Sequence, residues 1–198
     1  MKKYKMLIFD MDGTILYTLE DLKNTTNYAL SEHGFPERTL EEVRQFVGNG
    51  IHKLIERAVP AGTSDADIEA VFTTFEIYYK DHCMDTTRPY DGINDLLTKL
   101  RAQGYMTAVV SNKVDFAVQD LVKDFFVGQF DVAIGEREGV RKKPAPDSVY
   151  EVLKEFDLKK DEVIYIGDSD VDVETAKNAK MDGIFVDWGL RTRIFRTL

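Results

Sequence analysis

Two aspartates near the start of the chain have the type and spacing needed for nucleophilic or acid–base chemistry. Asp10 and Asp12 follow the apolar run Met6–Phe9 and are two residues apart. On an extended backbone such side chains point the same way. The carboxylates would therefore repel, and the pKa of one would rise unless a cation lay between them. The same pattern, taken alone, is equally typical of a plain strand-to-turn junction.

A second group of aspartates indicates which cation that would be. Asp168, Asp170 and Asp172 alternate through one short segment with no His or Cys among them. Hard oxygen donors of this kind suit Mg²⁺, with waters and phosphate completing its coordination. The segment is not an EF-hand, because Val173 stands at the position of its glycine and Ala179 at that of its glutamate. A helix N-cap is the structural alternative for Asp172, and it is compatible with a role beside a metal.

Short apolar runs alternate with helical patterns along most of the chain. Runs apolar on both faces are typical of parallel strands covered by helices. Five runs are predicted to be strands: Met6–Phe9, Met106–Val110, Phe130–Ile134, Val163–Ile166 and Ile184–Val186. Helical periodicity lies between them over residues 93–100, 118–125 and 149–156, and Pro146 is suited to open the last helix. The alternation predicts an α/β fold with a doubly wound, mostly parallel, Rossmann-like sheet.

The carboxyl ends of strands in such a sheet are where ligands bind. The polar residues at those ends are Asp10 and Asp12 after the first strand, Ser111, Asn112 and Lys113 after the second, and Asp168 and Asp172 after the fourth. Lys143 lies in the connection that precedes the fourth strand. Carboxylates, a hydroxyl and a lysine are therefore expected to converge on one crevice.

Residues 18–83 interrupt the alternation with helix starts and few strand candidates. Capping-box patterns begin at Thr18, Thr39 and Ser64, each with an acidic residue three positions later. We predict an inserted module of about four helices. The chain would then consist of a core, residues 1–17 and 84–198, and a helical insertion, residues 18–83. All three histidines (His33, His52 and His82) lie in the insertion, where a core or surface role is more common than catalysis.

Composition narrows the class of partner. The chain has 198 residues, a net charge of −9 and one cysteine, Cys83, which is typical of a buried small hydrophobe. A general nucleic-acid binder would need the opposite charge balance, and the basic stretches Arg137–Lys143 and Arg191–Arg196 are typical of solvated faces. The apolar runs are too short to span a bilayer, and no signal peptide is evident. We expect a cytoplasmic protein, monomeric or homodimeric, with no nucleic-acid or membrane partner.

Other nucleotide-binding and hydrolase signatures are missing from the sequence. There is no phosphate-binding Gly-x4-Gly-Lys-Ser/Thr loop, no His-Glu-x-x-His and no Gly-x-Ser-x-Gly. Gly48-Asn49-Gly50 begins like a dinucleotide-binding fingerprint, but Lys53 stands where its third glycine belongs, and no strand precedes it.

As a set, the polar motifs resemble the haloacid-dehalogenase superfamily and, within it, phosphoglycolate-phosphatase-like enzymes. Its four motifs occur in order as Asp10–Thr14, Ser111–Asn112, Lys143–Pro144 and Gly167–Asp172. The insertion resembles that family's helical cap between the first two motifs. Within it, Gly48, Asn49, Gly50 and Arg57 are similar to the cap residues that face the substrate, and Thr87–Gly92 resembles the return to the core.

The resemblance implies a Mg²⁺-dependent phosphatase that hydrolyses a small phosphomonoester. Asp10 would attack phosphorus to form an aspartyl-phosphate. Asp12 would protonate the leaving alkoxide and then take a proton from the hydrolytic water.

The same resemblance implies ligands for the metal and the phosphoryl group. Mg²⁺ would be held by the Asp10 carboxylate, the Asp12 carbonyl and Asp168, with Asp172 a direct or supporting ligand. Ser111 and Lys143 would bind phosphoryl oxygens, helped by backbone amides near Asn112 and Gly13, and loss of Lys143 would cost on the order of 10²–10³ in rate.

Two positions depart from that family's pattern. Tyr17-Thr18 stands where Asp-Ser is usual, which affects hinge or substrate details. The chain ends at Leu198, where relatives commonly continue, so apolar surface near Ile194 and Phe195 is expected to be exposed.

Several alternative functions stay open at this point. A phosphomutase of the β-phosphoglucomutase kind would use the same Asp10 and Asp12, and a pyrophosphatase or nucleotide phosphatase would fit the same motifs. A non-catalytic phosphate-binding regulator is less favoured, because binding alone needs no nucleophile. Dehalogenation is disfavoured, because it requires neither Mg²⁺ nor an acid at position 12.

Overall fold

The computed structural model describes residues 3–190 and divides into two compact units. One unit runs up to Tyr17 and resumes at Pro89, and the other spans Thr18–Arg88. Residues 84–88, which the sequence-based division assigned to the core, group with the helical unit. The reason is local, since the backbone N–H groups of Thr86 and Thr87 donate to the buried carboxylate of Asp21 at 2.9 and 2.8 Å.

The helices and strands alternate as expected in the first unit, while the second is helical. In chain order the elements are β1 (Met6–Phe9), β2 (Leu16–Tyr17), α1 (Leu19–Glu32), α2 (Leu40–Phe46), α3 (Ile51–Ala58), α4 (Asp65–His82), β3 (Arg88–Pro89), α5 (Ile93–Ala102), β4 (Met106–Val114), α6 (Asp115–Phe125), β5 (Val132–Glu136), α7 (Asp147–Glu155), β6 (Val163–Gly167), α8 (Asp170–Ala179) and β7 (Asp182–Phe185). All five predicted strands and all three predicted core helices are present.

A five-stranded parallel sheet in the order β5-β4-β1-β6-β7 forms the centre of the first unit. The middle strand β1 pairs with β4 and β6, and Phe9 is in register with Val109 and Ile166. Helices α7 and α8 cover one face, while α5 and α6 cover the other. The predicted doubly wound, Rossmann-like α/β fold is therefore confirmed.

Four strands differ in extent from the sequence-based prediction: β5 runs from Val132 to Glu136 rather than from Phe130 to Ile134, β6 continues one residue to Gly167, and β4 and β7 differ more. β4 continues past Val110 to Val114, with a shift in its register against β5. Polar residues 111–113 ended the apolar run, so the sequence pattern missed this extension. β7 begins at Asp182, two residues before the predicted start, and most of it is exposed. Its polar character obscured its pairing with β6.

Helices α1 to α4 pack around their own apolar core, which includes Leu30, Val43, Ile55, Phe75 and Tyr79. The capping box at Thr39 is present, and the Ser64 hydroxyl accepts from the backbone of Asp67 at 3.2 Å. The capping box predicted at Thr18 is wrong, because its hydroxyl makes no capping bond. Its partner Asp21 instead binds Thr86 and Thr87.

Three further sequence-based expectations concern membrane-spanning helices, the burial of Cys83 and the end of the chain. Among residues 3–190, no helix combines the length and the apolar character that crossing a membrane requires. Cys83 is buried, as expected. The basic stretch Arg191–Arg196 and the apolar residues Ile194 and Phe195 lie outside the described residues.

Candidate active site

Three buried carboxylates meet at the carboxyl ends of β1 and β6. Asp10, Asp168 and Asp172 each offer an oxygen, and these atoms lie within 4.8 Å of one another. The fold brings them together because β1 and β6 are adjacent and parallel, so residues that directly follow the two strands share one edge. The convergence predicted from sequence for these three residues is therefore present.

The Asp168 carboxylate lies in a cradle made by two glycines. A Cβ on Gly13 would come within 2.4 Å of Asp168 Oδ2, and one on Gly189 within 2.2 Å of the same atom. The backbone N–H of Leu190 donates to Asp168 Oδ2 at 2.7 Å, and the Thr14 hydroxyl lies 3.4 Å from Oδ1. Gly13 belongs to the first motif, whereas Gly189 and Leu190 carried no recognisable signal in the sequence.

Asp172 holds other parts of the site in place. Its Oδ2 accepts from the backbone N–H groups of Asp168 and Ser169 at 3.2 and 3.1 Å and from the Ser169 hydroxyl at 2.6 Å. Its Oδ1 accepts from Lys143 Nζ at 2.7 Å and from the Tyr165 hydroxyl at 3.1 Å. The alternative of Asp172 as a helix N-cap is wrong, because Ser169 is the N-cap of α8.

Lys143 pairs with two of the three carboxylates. Its buried Nζ lies 2.7 Å from Asp10 Oδ1 and 2.7 Å from Asp172 Oδ1. Its backbone is held by the Asn112 side chain, which accepts from Lys143 N at 2.8 Å and donates to Lys143 O at 3.0 Å. The Asn112 side-chain amide thus positions Lys143. The backbone amide near Asn112 stays the predicted donor to the phosphoryl group.

The charges at this edge do not balance, and the pKa values reflect the imbalance. Burial and the neighbouring Asp172 raise the pKa of Asp10 to about 8. Burial alone would lower the pKa of Lys143, but Asp10 and Asp172 outweigh it and hold that pKa well above its usual value. For Asp172, burial would raise the pKa, but contacts with Lys143 and Ser169 hold the pKa of this carboxyl below its usual value.

The donor set fits a hard divalent cation. The cluster contains three carboxylates, no His and no Cys, and one lysine cannot neutralise three negative charges. Burial together with Asp172 and Asp168 raises the pKa of Asp10 by more than Lys143 lowers it. Oxygen-only sites of this type suit Mg²⁺ rather than zinc or copper.

Asp12 makes a separate ion pair that the sequence reading did not assign. Lys113 Nζ lies 3.0 Å from Asp12 Oδ1, and the lysine side chain is only 2% exposed. Ser111 is also buried, and its hydroxyl accepts from the backbone N–H of Lys113 at 3.3 Å. The sequence placed Lys113 at this edge of the sheet, but no local pattern indicated that it pairs with Asp12.

The four residues predicted to face a substrate from the helical unit belong to one loop and its neighbouring helix. The Arg57 guanidinium donates to the carbonyl of Phe46 at 2.7 Å and to Asn49 Oδ1 at 3.0 Å. Gly48 and Gly50 have positive φ angles of 108° and 86°, which only glycine adopts readily. Arg57 therefore fixes the shape of this loop, and the contact of these residues with a substrate stays a prediction.

Gly13→Ala is expected to disrupt the Asp168 cradle. Its Cβ would meet the Asp168 carboxylate, and the backbone at Gly13 has a φ of +86°. Gly104→Ala is a matched control, because Gly104 has a φ of +74° and nothing within 4 Å of an added Cβ. Both variants should lose about 1–2 kcal/mol from the left-handed backbone. In thermal melts with Mg²⁺, only Gly13→Ala should also lose stabilisation by the cation. If Mg²⁺ raised the melting temperatures of both variants equally, the role of Gly13 in accommodating the Asp168 carboxylate would be contradicted.

The amino-acid sequence was compared with protein families and with known proteins. Residues 7–186 match the family model described as haloacid dehalogenase-like hydrolase. The chain is 30% identical to the phosphoglycolate phosphatase of Mannheimia succiniciproducens over 94% of this chain and 87% of that protein. It is also 30% identical to that of Nitrosococcus oceani, over 96% of this chain and 86% of that protein.

Solved structures give the same match at the level of the fold. A structure from Lactobacillus delbrueckii subsp. bulgaricus, provisionally named a phosphoglycolate phosphatase, has a TM-score of 0.91 and 40% identity. The match covers 96% of this chain and 89% of the Lactobacillus chain. A protein from Haemophilus somnus, also provisionally named, has a TM-score of 0.90 and 28% identity, over 96% of this chain and 88% of its own.

Proposed function

This chain belongs to the haloacid dehalogenase-like hydrolase family and is a phosphoric monoester hydrolase, and from that premise we propose a Mg²⁺-dependent reaction through an aspartyl-phosphate on Asp10. The observation that carries the proposal is the buried Asp10 carboxylate, paired with Lys143 Nζ at 2.7 Å within the cluster of Asp168 and Asp172. A protein that only bound phosphate would need cations at the site and no buried carboxylate among them, whereas here the Asp10 carboxylate lies within the cluster.

The proposed reaction has two displacements at phosphorus. In the first, a carboxylate oxygen of Asp10 bonds to phosphorus while the bond to the ester oxygen breaks, and Asp12 gives that oxygen a proton. In the second, water attacks the same phosphorus, Asp12 takes its proton, and the bond to Asp10 breaks. Asp12 therefore ends protonated as it began, with a proton taken from water in place of the one given to the alcohol, and the products are the alcohol and phosphate.

Negative charge on the transferring oxygens needs donors that are already in place. The Lys143 ammonium group, held by Asp172 and by the Asn112 side chain, is positioned to supply positive charge without reorganisation. We propose that the Ser111 hydroxyl and the backbone amides near Asn112 and Gly13 supply the remaining hydrogen bonds. Loss of one such donor typically costs on the order of 10²–10³ in rate.

We assign the Mg²⁺ ligands to Asp10, Asp168 and the backbone carbonyl of Asp12. Asp172 is assigned a supporting role, because each of its oxygens accepts from two or more protein donors. When bound, the cation would supply positive charge to the phosphoryl oxygens and lower the pKa of Asp10.

Cation binding is expected to depend on pH. Because the pKa of Asp10 is raised to about 8 without metal, Mg²⁺ must displace a proton below that pH. The apparent affinity should therefore weaken about tenfold for each pH unit below 8 and level off above it. Melting temperatures measured with and without Mg²⁺ at pH 6.5 and 8.5 test this expectation. A larger shift at pH 6.5 would contradict the assignment.

For the substrate, we propose a small phosphomonoester of the phosphoglycolate type. The support is that relatives covering most of this chain are named phosphoglycolate phosphatases. Phosphate release should be measured with phosphoglycolate, a sugar phosphate, a nucleoside monophosphate and pyrophosphate, each with Mg²⁺ and with EDTA. The proposal predicts the highest kcat/KM for phosphoglycolate. Preference for pyrophosphate or a nucleotide, or return of the phosphoryl group to a sugar as in a phosphomutase, would overturn it.

A further inference from the structure

Lys113 is a buried lysine whose ammonium group lies beside the Asp12 carboxylate. Its side chain is 2% exposed, and its Nζ lies 3.0 Å from Asp12 Oδ1. Burying a charged amine is costly unless it is paired. Asp12 is a carboxylate partner at its charged end, while Lys143 pairs with Asp10 and Asp172. The site thus contains two lysines with different carboxylate partners.

The backbone beneath Lys113 is fixed by β5. The register of β4 against β5 shifts between Val110 and Val114, so the segment carrying Lys113 departs from regular pairing. Gly135 on β5 permits the close approach, because an added Cβ would lie 2.7 Å from the Lys113 carbonyl oxygen. Gly135 N–H also donates to Asp115 Oδ1 at 2.7 Å. Lys113 is therefore presented from a rigid segment rather than a loose loop.

From this geometry we propose that Lys113 is a positioning residue for proton transfer. It holds the Asp12 carboxylate in the orientation from which Asp12 serves the ester oxygen. Lys113 stays protonated throughout and donates to Asp12 Oδ1 whether Asp12 is protonated or ionised, so the transferred proton is carried on Asp12 Oδ2 and moves only between that oxygen and the ester oxygen or water. The inference rests on the proposed function, since it assigns a role relative to Asp12 as acid and base. A salt bridge that merely braces the turn after β1 is the competing explanation.

Leaving-group chemistry separates these two roles. An alkyl phosphate such as phosphoglycolate has a poor leaving group that needs protonation, whereas p-nitrophenyl phosphate has a good one that does not. The parameter kcat/KM reports the steps through the first irreversible cleavage, so it includes protonation of the leaving group and excludes hydrolysis of the intermediate. General acid catalysis contributes about 10²–10⁴ in rate. A positioning residue should supply part of that contribution, and only for the alkyl substrate.

The test compares Lys113→Met, Lys113→Gln and Lys113→Arg with the exposed control Lys123→Met on both substrates. For the Met and Gln variants we expect kcat/KM to fall about 10- to 100-fold with phosphoglycolate and less than about threefold with p-nitrophenyl phosphate. Lys113→Arg should recover part of the loss, and Lys123→Met should match wild type. Equal losses on both substrates, or no loss, would overturn the proposal.

A double-mutant cycle provides an independent measurement. If Lys113 acts through Asp12, Lys113→Met should change kcat/KM for phosphoglycolate less than about threefold in an Asp12→Asn background. A full additional loss there would overturn the proposal. Wild-type protein inactive on both substrates would instead refute the proposed function, so the two failures can be told apart.

Discussion

Asp10→Asn is expected to lower phosphatase kcat/KM by a factor on the order of 10⁴ or more. The amide preserves the size of the side chain but removes the proposed nucleophile, and neither Asp168 nor Asp172 can replace it. Both are held in place by protein donors, Asp168 by Leu190 N–H and Asp172 by Lys143. Phosphate release from phosphoglycolate with Mg²⁺ measures the effect.

The same variant should keep its stability. The pKa of Asp10 is raised to about 8, so the folded state binds this proton more tightly than the unfolded chain does. Ionising Asp10 therefore lowers the free energy of unfolding as pH rises between about 4 and 8. Asparagine carries no charge, so the variant should unfold at the same or a higher temperature than wild type in EDTA at pH 8. The exposed control Asp124→Asn should leave activity unchanged. Activity of Asp10→Asn within tenfold of wild type would contradict the nucleophile assignment.

Lys143→Met is expected to damage both rate and stability. The rate should fall on the order of 10²–10³, because the variant lacks a preorganised cation at the transferring oxygens. The free energy of unfolding should fall by about 3–5 kcal/mol, because Asp10 and Asp172 lose their shared partner in a buried place. Steady-state kinetics and urea unfolding in EDTA measure the two losses.

The neighbouring Lys142→Met is the matched control for Lys143→Met. Lys142 is partly exposed and pairs with Glu136 at 2.5 Å. Exposed pairs of this kind contribute about 0–1 kcal/mol, so this variant should retain activity and most of its stability. If the two variants behaved alike, the assignment of Lys143 to the reacting centre would be wrong.

Much of the fold and the main carboxylate cluster could be predicted from the sequence. The strands that carry Asp10 and Asp168 are buried on both faces, so their apolar runs stand out without any knowledge of their partners. In a parallel sheet the ends of adjacent strands then meet, which places Asp10 near Asp168 and Asp172.

The parts that sequence reasoning missed depend on contacts between residues far apart in the chain. The Gly189 cradle, the Lys113–Asp12 ion pair and the Tyr165 hydroxyl beside Lys143 each join segments that no local pattern connects. The capping box at Thr18 failed for the same reason. Local spacing favoured a bond between Thr18 and Asp21, but the backbone N–H groups at residues 86 and 87 are the donors that Asp21 accepts from.

The stereochemical course at phosphorus tests the central claim, nucleophilic attack by Asp10, most directly. Each in-line displacement inverts the configuration of phosphorus. Two displacements, first by the Asp10 carboxylate and then by water, give net retention. The measurement uses wild-type protein with Mg²⁺ and a substrate made chiral at phosphorus with sulfur and oxygen isotopes. The proposed mechanism predicts retention in the released thiophosphate. Inversion would mean that water attacks the substrate directly, and it would contradict the role assigned to Asp10.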